Sequence, residues 1–279
     1  MYKLVVCDID GTLIDSKGNI SERTLRAVEK LADKGIHFTL CTGRNITKTM
    51  PIVKKLKLKV PFVCIDGIII YDPVAKKVVK GLNLDSAQAR ELIYIGKEYN
   101  TYIEVSDGYK YYKYIPSKGH IKYDFFNECT LKGKIKSWLS GIRYVKNIDE
   151  LCKINGPIYQ VIIGADIETA KKINNEIRGK GYENIDVRDF LWEEYLFINY
   201  KGIGKAKGVK VICDYFGVDM EEVMAFGDER NDLDMLEHVG MGIAMANADE
   251  SVKAVAKSVT LSNNEDGVAV AIEKLILGE

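Results

Sequence analysis

The chain has 279 residues, 47% of them apolar, and 40 Lys+Arg balance 40 Asp+Glu. That length exceeds one typical domain core and suits two. Zero net charge argues against a general affinity for nucleic acid or an anionic membrane, and no apolar run approaches the roughly 20 residues of a membrane helix.

The chain opens directly into an apolar run, Leu4–Ile9, that reads as a buried strand. No basic segment, long apolar stretch and cleavage site precede it, so the expected location is the cytoplasm. Ser21–Lys34 follows as an amphipathic helix with Leu25, Val28, Leu31 and Ala32 on one face, Ser21 as N-cap and Gly35 as stop. His37–Cys41 is the next strand, Asn45–Leu56 a helix and Pro61–Ile65 a third strand. Strand–helix alternation with short connections implies parallel strands and a doubly wound sheet.

From about Leu82 to Glu194 the texture changes. Tyr94, Tyr99, Tyr102, Tyr109, Tyr111, Tyr112, Tyr114 and Tyr123 crowd together. Tyr102–Val105 and Tyr109–Ile115 alternate like hairpin strands around Asp107-Gly108. Pro157–Gly164 reads as a strand and Ile167–Gly179 as a helix. Then the first texture returns. Ala206–Phe216 reads as a helix, Glu222–Phe226 a strand, Asp232–His238 a helix, Gly242–Met245 a strand, Asp249–Ala256 a helix, Ser258–Leu261 a strand and Gly267–Leu277 a helix. The expected fold is α/β: a doubly wound, Rossmann-like parallel sheet core with an inserted α+β cap domain. The core would comprise residues 1–81 and 195–279, and the cap residues 82–194.

The six cysteines, Cys7, Cys41, Cys64, Cys129, Cys152 and Cys213, include no C-x-x-C pair, and Cys7, Cys41 and Cys64 sit in apolar runs, so buried reduced thiols are expected. The three histidines, His37, His120 and His238, are scattered and receive no chemistry either.

Four short segments fall just after predicted strands or at the start of a helix facing that edge. They are Asp8-Ile9-Asp10-Gly11-Thr12, Thr42-Gly43-Arg44, Lys205, and Gly227-Asp228-Glu229-Arg230-Asn231-Asp232. Ligands of doubly wound sheets bind at the carboxyl ends of the strands, so these groups would converge there. Asp8, Asp10, Asp228 and Asp232 in one crevice would repel one another unless a cation offsets them. Oxygen ligands without His or Cys, with room for water and phosphate, suit Mg²⁺ better than Ca²⁺. Lys205, the Thr42 hydroxyl and backbone N–H groups of the glycine-bearing turns can hold phosphate oxygens. Together these groups specify phosphoryl transfer through an acyl phosphate.

The set D-I-D-G-T-L, T-G-R, Lys205 and G-D-E-R-N-D resembles the haloacid-dehalogenase superfamily. The insertion after the third strand, with V-G-M-G-I-A-M-A-N-A and N-N-E-D-G-V later, resembles its Cof-type branch with a C2B cap. The resemblance implies a phosphatase acting on a small phosphorylated metabolite, a sugar phosphate or phosphorylated cofactor. It implies Asp8 as nucleophile and Asp10 as the acid and then the base. Thr42, Gly43 and Lys205 would hold the phosphoryl group. Asp8, the backbone carbonyl of Asp10 and Asp228 would hold Mg²⁺, with Asn231 and Asp232 supporting. Where relatives carry Asn-Gly after the third strand, this chain has Asp66-Gly67. Asp66 is expected to pair with Arg44, to serve its own turn, or to face the phosphate.

Competing readings are a phosphotransferase or sugar-phosphate mutase, a receiver-like signalling module and a non-catalytic phospho-ligand binder. Asp10 and the large insertion speak against a receiver. The expected partner is a small phosphorylated molecule, without nucleic acid or membrane, and the expected assembly a monomer or weak homo-oligomer.

Overall fold

The computed structural model describes residues 1–116, 135, 137–190 and 194–279. His120, Tyr123 and Cys129 lie outside the described residues. The chain forms two compact units, one of residues 1–44, 50–80 and 203–279, the other of residues 45–49 and 81–202.

The first unit begins with β1 (Leu4–Cys7), α1 (Glu22–Asp33) and β2 (His37–Leu40). Ser21 caps α1 by accepting the Thr24 N–H, as its position before the apolar stripe implies. Next come α2 (Ile46–Lys55), whose residues 50–55 belong to this unit, and β3 (Phe62–Cys64). Here the structure departs from the expected all-parallel edge. A single parallel bridge, Cys41 to Val63, joins β3 to the end of β2. Its main partner is antiparallel: β4 (Ile69–Asp72), followed by β5 (Lys77–Gly81), in a three-stranded sheet of order β3-β4-β5. The apolar run Ile68-Ile69-Ile70 supplies this hairpin.

The second unit contains α3 (Ser86–Glu98), β6 (Tyr102–Ser106), β7 (Tyr111–Tyr114), β8 (Ile142–Tyr144), α4 (Asp149–Cys152), β9 (Gln160–Gly164), α5 (Ile167–Gly179), β10 (Ile185–Phe190) and β11 (Tyr195–Tyr200). The sheet runs β10-β11-β9-β6-β7-β8 and is antiparallel except between β7 and β8. The Asp107-Gly108 hairpin forms as its sequence implies, with Asp107 Oδ1 accepting the N–H of Tyr109 and of Lys110. Ile103, Val105, Val161, Ile163 and Ile198 point to one face and bury against Leu92, Ala170 and Ile173 of the helices. Tyr99, Tyr112 and Tyr114 pack onto this core, whereas Tyr94 and Tyr109 are exposed. The expected return to the core at residue 195 falls inside this sheet: β11 pairs with both β9 and β10, so the unit extends to Gly202.

The first unit resumes with α6 (Lys205–Phe216), β12 (Val223–Gly227), α7 (Leu233–His238), β13 (Met241–Ala244), α8 (Glu250–Val255), β14 (Ser258–Val259) and α9 (Gly267–Ile272). Its sheet is fully parallel, in the order β14-β13-β12-β1-β2. Its strands are near-continuously apolar because both faces are covered. Leu4 and Val6 join the cluster with Val209, Ile212, Met235 and Val252, while Val5 and Cys7, pointing the other way, are equally buried. Among the described residues no disulfide forms: Cys7, Cys41, Cys64 and Cys213 are buried thiols and Cys152 a half-buried one. No described helix is long and apolar enough to cross a membrane.

Candidate active site

Every strand that carries a predicted site residue ends at the same edge of the first unit. Asp8 follows β1, Thr42 follows β2, Asp66 follows β3 and Asp228 follows β12. Lys205 opens α6, and its ammonium is fully buried, 2.6 Å from Asp8 Oδ1 and 2.6 Å from Asp232 Oδ1. An isolated buried ammonium would be very costly, and these two carboxylates offset the cost. Burial alone would lower the pKa of Lys205, but Asp232 and then Asp8 outweigh it and hold it above the usual lysine range. Burial pushes the Asp8 carboxyl up, against the pull of Lys205.

Asp8, Asp228 and Asp232 each offer a carboxylate oxygen within 4.8 Å of the others. They are not equivalent. Asp232 Oδ1 takes Lys205, and its Oδ2 accepts the N–H of Asp228 at 3.0 Å and of Glu229 at 3.1 Å. Its oxygens are engaged in shaping the turn. Among the described residues the Asp228 carboxylate receives the Thr12 hydroxyl alone, at 2.5 Å on Oδ1. Desolvation raises the Asp228 carboxyl to about 7, with Thr12 opposing and Asp232 adding to the rise. A divalent cation would relieve this repulsion. The donor set fits one: oxygen only, with Asp8 and Asp232 tied to Lys205 and Asp228 taking a single hydroxyl donor among the described residues. One residue before Asp232, Asn231 Oδ1 is buried without a hydrogen-bond partner among the described residues and would suit a proton of a cation-bound water.

The turn Asp8–Leu13 brings Asp228 close. Gly11 adopts φ +73°, and a Cβ there would sit 2.0 Å from Asp228 Oδ2. Only glycine satisfies both demands. Asn247 Nδ2 donates to the Gly11 carbonyl at 2.9 Å and braces the turn.

Thr42 is buried, and its Oγ1 accepts the Arg44 N–H at 3.2 Å, which leaves the hydroxyl proton to donate. Arg44 places its guanidinium on Asp10, with Nε 2.6 Å from Oδ2. The expected Arg44–Asp66 pairing is therefore replaced by an Arg44–Asp10 pair. Asp66 Oδ1 instead accepts Asn231 Nδ2 at 2.9 Å. Asp66 lies in a turn where Ile65 (φ +47°), Asp66 (φ +50°) and Gly67 are all left-handed. For a β-branched residue that is a costly backbone. The turn is held because the Ile65 and Asp66 N–H groups donate to the Arg44 and Thr42 carbonyls, each at 3.1 Å.

The structure thus brings together all ten predicted residues in one unit. Sequence reasoning missed Thr12 and Asn247 as site-shaping residues, although both lie inside motifs already singled out. No local signal marks the strained Ile65.

The model of the haloacid dehalogenase-like hydrolase family matches residues 5–272. The chain belongs to that family. It is 32% identical over 274 residues to the 5-amino-6-(5-phospho-D-ribitylamino)uracil phosphatase YitU of Bacillus subtilis, covering 95% of this chain and 94% of that one. It is 29% identical to phosphatase YwpJ of the same organism, covering 98% and 100%. A haloacid dehalogenase-like hydrolase from Bacteroides thetaiotaomicron superposes with a TM-score of 0.82 at 28% identity, covering 99% of this chain and 100% of that one. The chain is accordingly a phosphatase of this hydrolase family, with a parallel core and a sheet-containing cap.

Proposed function

We propose that the chain hydrolyses the phosphomonoester of a small metabolite through an aspartyl-phosphate on Asp8. The observation that carries this reading is the buried Asp8, held by Lys205 and beside Asp228, with the exposed carboxylate of Asp10 two residues on. Asp8 attacks phosphorus, and the bond from phosphorus to the leaving oxygen breaks. Asp10 gives its proton to that oxygen. Asp10 then takes a proton from water as the water oxygen attacks phosphorus, and the bond to Asp8 breaks to release inorganic phosphate. Lys205, Thr42 and the Gly43 backbone hold the transferring oxygens. Asp8, Asp228 and the Asp10 carbonyl would hold Mg²⁺, which supplies charge neutralisation of the phosphoryl oxygens when bound. Asp232 and Asn231 keep this arrangement in register.

The substrate class is a phosphorylated sugar or cofactor-like metabolite. The Bacillus subtilis relative is named for a phosphorylated ribitylaminouracil, so that compound belongs in the panel. The test is phosphate release from such a panel with Mg²⁺, with and without an added acceptor alcohol. Release of free phosphate, lost in Asp8→Asn, is expected. Transfer to the alcohol without release would favour a phosphotransferase instead.

A further inference from the structure

The carboxylate at position 66 replaces an amide that the family resemblance leads one to expect, and it lies in an already acidic site. Lys205 is the ammonium of the buried cluster among the described residues, and Asp232, Asp8 and Asp66 all act on it. Asp228 groups with Asp8 and Asp232 in the same site. An extra negative charge here has a cost, so its contacts should reveal what it does. Asp66 is placed by its N–H to the Thr42 carbonyl and by Gly43, where a Cβ would come within 3.2 Å of Asp66 Oδ1. From there it receives Asn231 Nδ2 at 2.9 Å.

The chemistry of this pair is one-sided. An ionised carboxylate only accepts hydrogen bonds, whereas the two ends of an asparagine amide differ. Asp66 can therefore engage only the NH₂ end of Asn231. The carbonyl end must then point elsewhere, and Asn231 Oδ1 is indeed buried without a partner among the described residues. A buried acceptor left unsatisfied costs free energy that a donor would recover. Asn231 sits in the same turn as Asp228 and Asp232, whose carboxylates form the candidate cation cluster. An asparagine at 66 would offer both an acceptor and donors, and would allow either orientation of Asn231.

Resting on the functional reading above, we propose that Asp66 is a positioning residue: it locks the Asn231 amide so that its carbonyl is presented as an acceptor to water on the site's divalent cation. Asp66 then acts through Asn231, not merely as a nearby charge.

The experiment is Mg²⁺ titration by calorimetry on the full chain, with melting temperature in chelator as the control for folding. Asp66→Asn is expected to weaken Mg²⁺ binding by about tenfold, the scale of one hydrogen bond to a charged site. Asn231→Leu should weaken it similarly. The double variant should be no weaker than the worse single, because both remove the same acceptor. The swap Asp66→Asn with Asn231→Asp restores an acceptor at 231 and a donor at 66 at unchanged net charge, and should recover most of the affinity. Equal effects of Asp66→Asn in the parent and in the Asn231→Leu background would overturn the proposal, since that is how a bare charge behaves. So would unchanged Mg²⁺ affinity in Asp66→Asn, or a swap that binds no better than Asp66→Asn. If the unaltered chain binds no Mg²⁺, the functional reading falls and this inference with it.

Discussion

Arg44 grips Asp10 at two points, Nε to Oδ2 at 2.6 Å and Nη2 to Oδ1 at 2.5 Å, although the Asp10 side chain is 57% exposed. A bidentate fork fixes direction as well as distance. Arg44→Ala should therefore lower kcat by about tenfold, while stability changes by no more than about 1 kcal/mol, because exposed ion pairs contribute little to folding. Arg44→Lys should recover part of the rate. Steady-state kinetics with good and poor leaving groups provide the check. The loss should be larger for the poor leaving group, and an equal loss would separate Arg44 from Asp10.

Asp8→Asn should abolish turnover and leave the fold intact, since the amide is nearly isosteric but a far weaker nucleophile. Residual activity above about 1% of the parent, with contamination excluded, would remove Asp8 from its role.

Asp10→Asn should slow both chemical steps by about 10²–10⁴-fold. With a good leaving group the first step needs less protonation, so the phosphoenzyme should accumulate. Intact mass spectrometry would detect one added phosphoryl group. Its absence under single-turnover conditions would count against Asp10 as the base of the second step.

Asp228 offers a pH prediction. Desolvation, only partly opposed by Thr12, raises its folded carboxyl from 3.8 to about 7. Between those values the folded chain binds more protons than the unfolded chain, so this group makes stability fall as pH rises through that window. Melting temperatures in chelator between pH 4.5 and 7.5 (chosen to span roughly that interval) should fall more steeply in the parent than in Asp228→Asn. Added Mg²⁺ should flatten the parent curve at the upper end. Identical slopes in the two proteins would contradict the raised carboxyl.

Gly11→Ala tests the packing of the Asp8–Leu13 turn. A Cβ 2.0 Å from Asp228 Oδ2, on a backbone at φ +73°, must displace the carboxylate. The left-handed backbone costs roughly 1–2 kcal/mol on its own. We expect a stability loss of that order together with a fall in kcat/KM of about a hundredfold or more. Normal activity with a lowered melting temperature would mean that Asp228 tolerates the shift.

The alternation of apolar runs and amphipathic stripes was enough to place β1, α1 and β2, because near-neighbour periodicity reports local structure directly. Ser21 and Gly35 bounded α1 for the same reason. The motif residues Asp8, Thr42, Lys205 and Asp228 could be assigned to one edge because each follows a strand or opens a helix, and parallel topology carries such positions to the same side. Hairpin β3-β4 was not legible: three of the four residues in its connection are left-handed, and the Ile65 and Asp66 N–H groups are held by the Arg44 and Thr42 carbonyls. Those contacts join segments more than 20 residues apart, and no window along the chain contains them. The same is true of β11, an apolar run that serves equally well in either unit until its pairing with β9 and β10 decides. Charge partners were least legible of all. Motif order suggested Arg44 for Asp66, but side-chain direction after folding gave Arg44 to Asp10 and Asn231 to Asp66, because reach and orientation are properties of the assembled edge and not of the sequence that builds it.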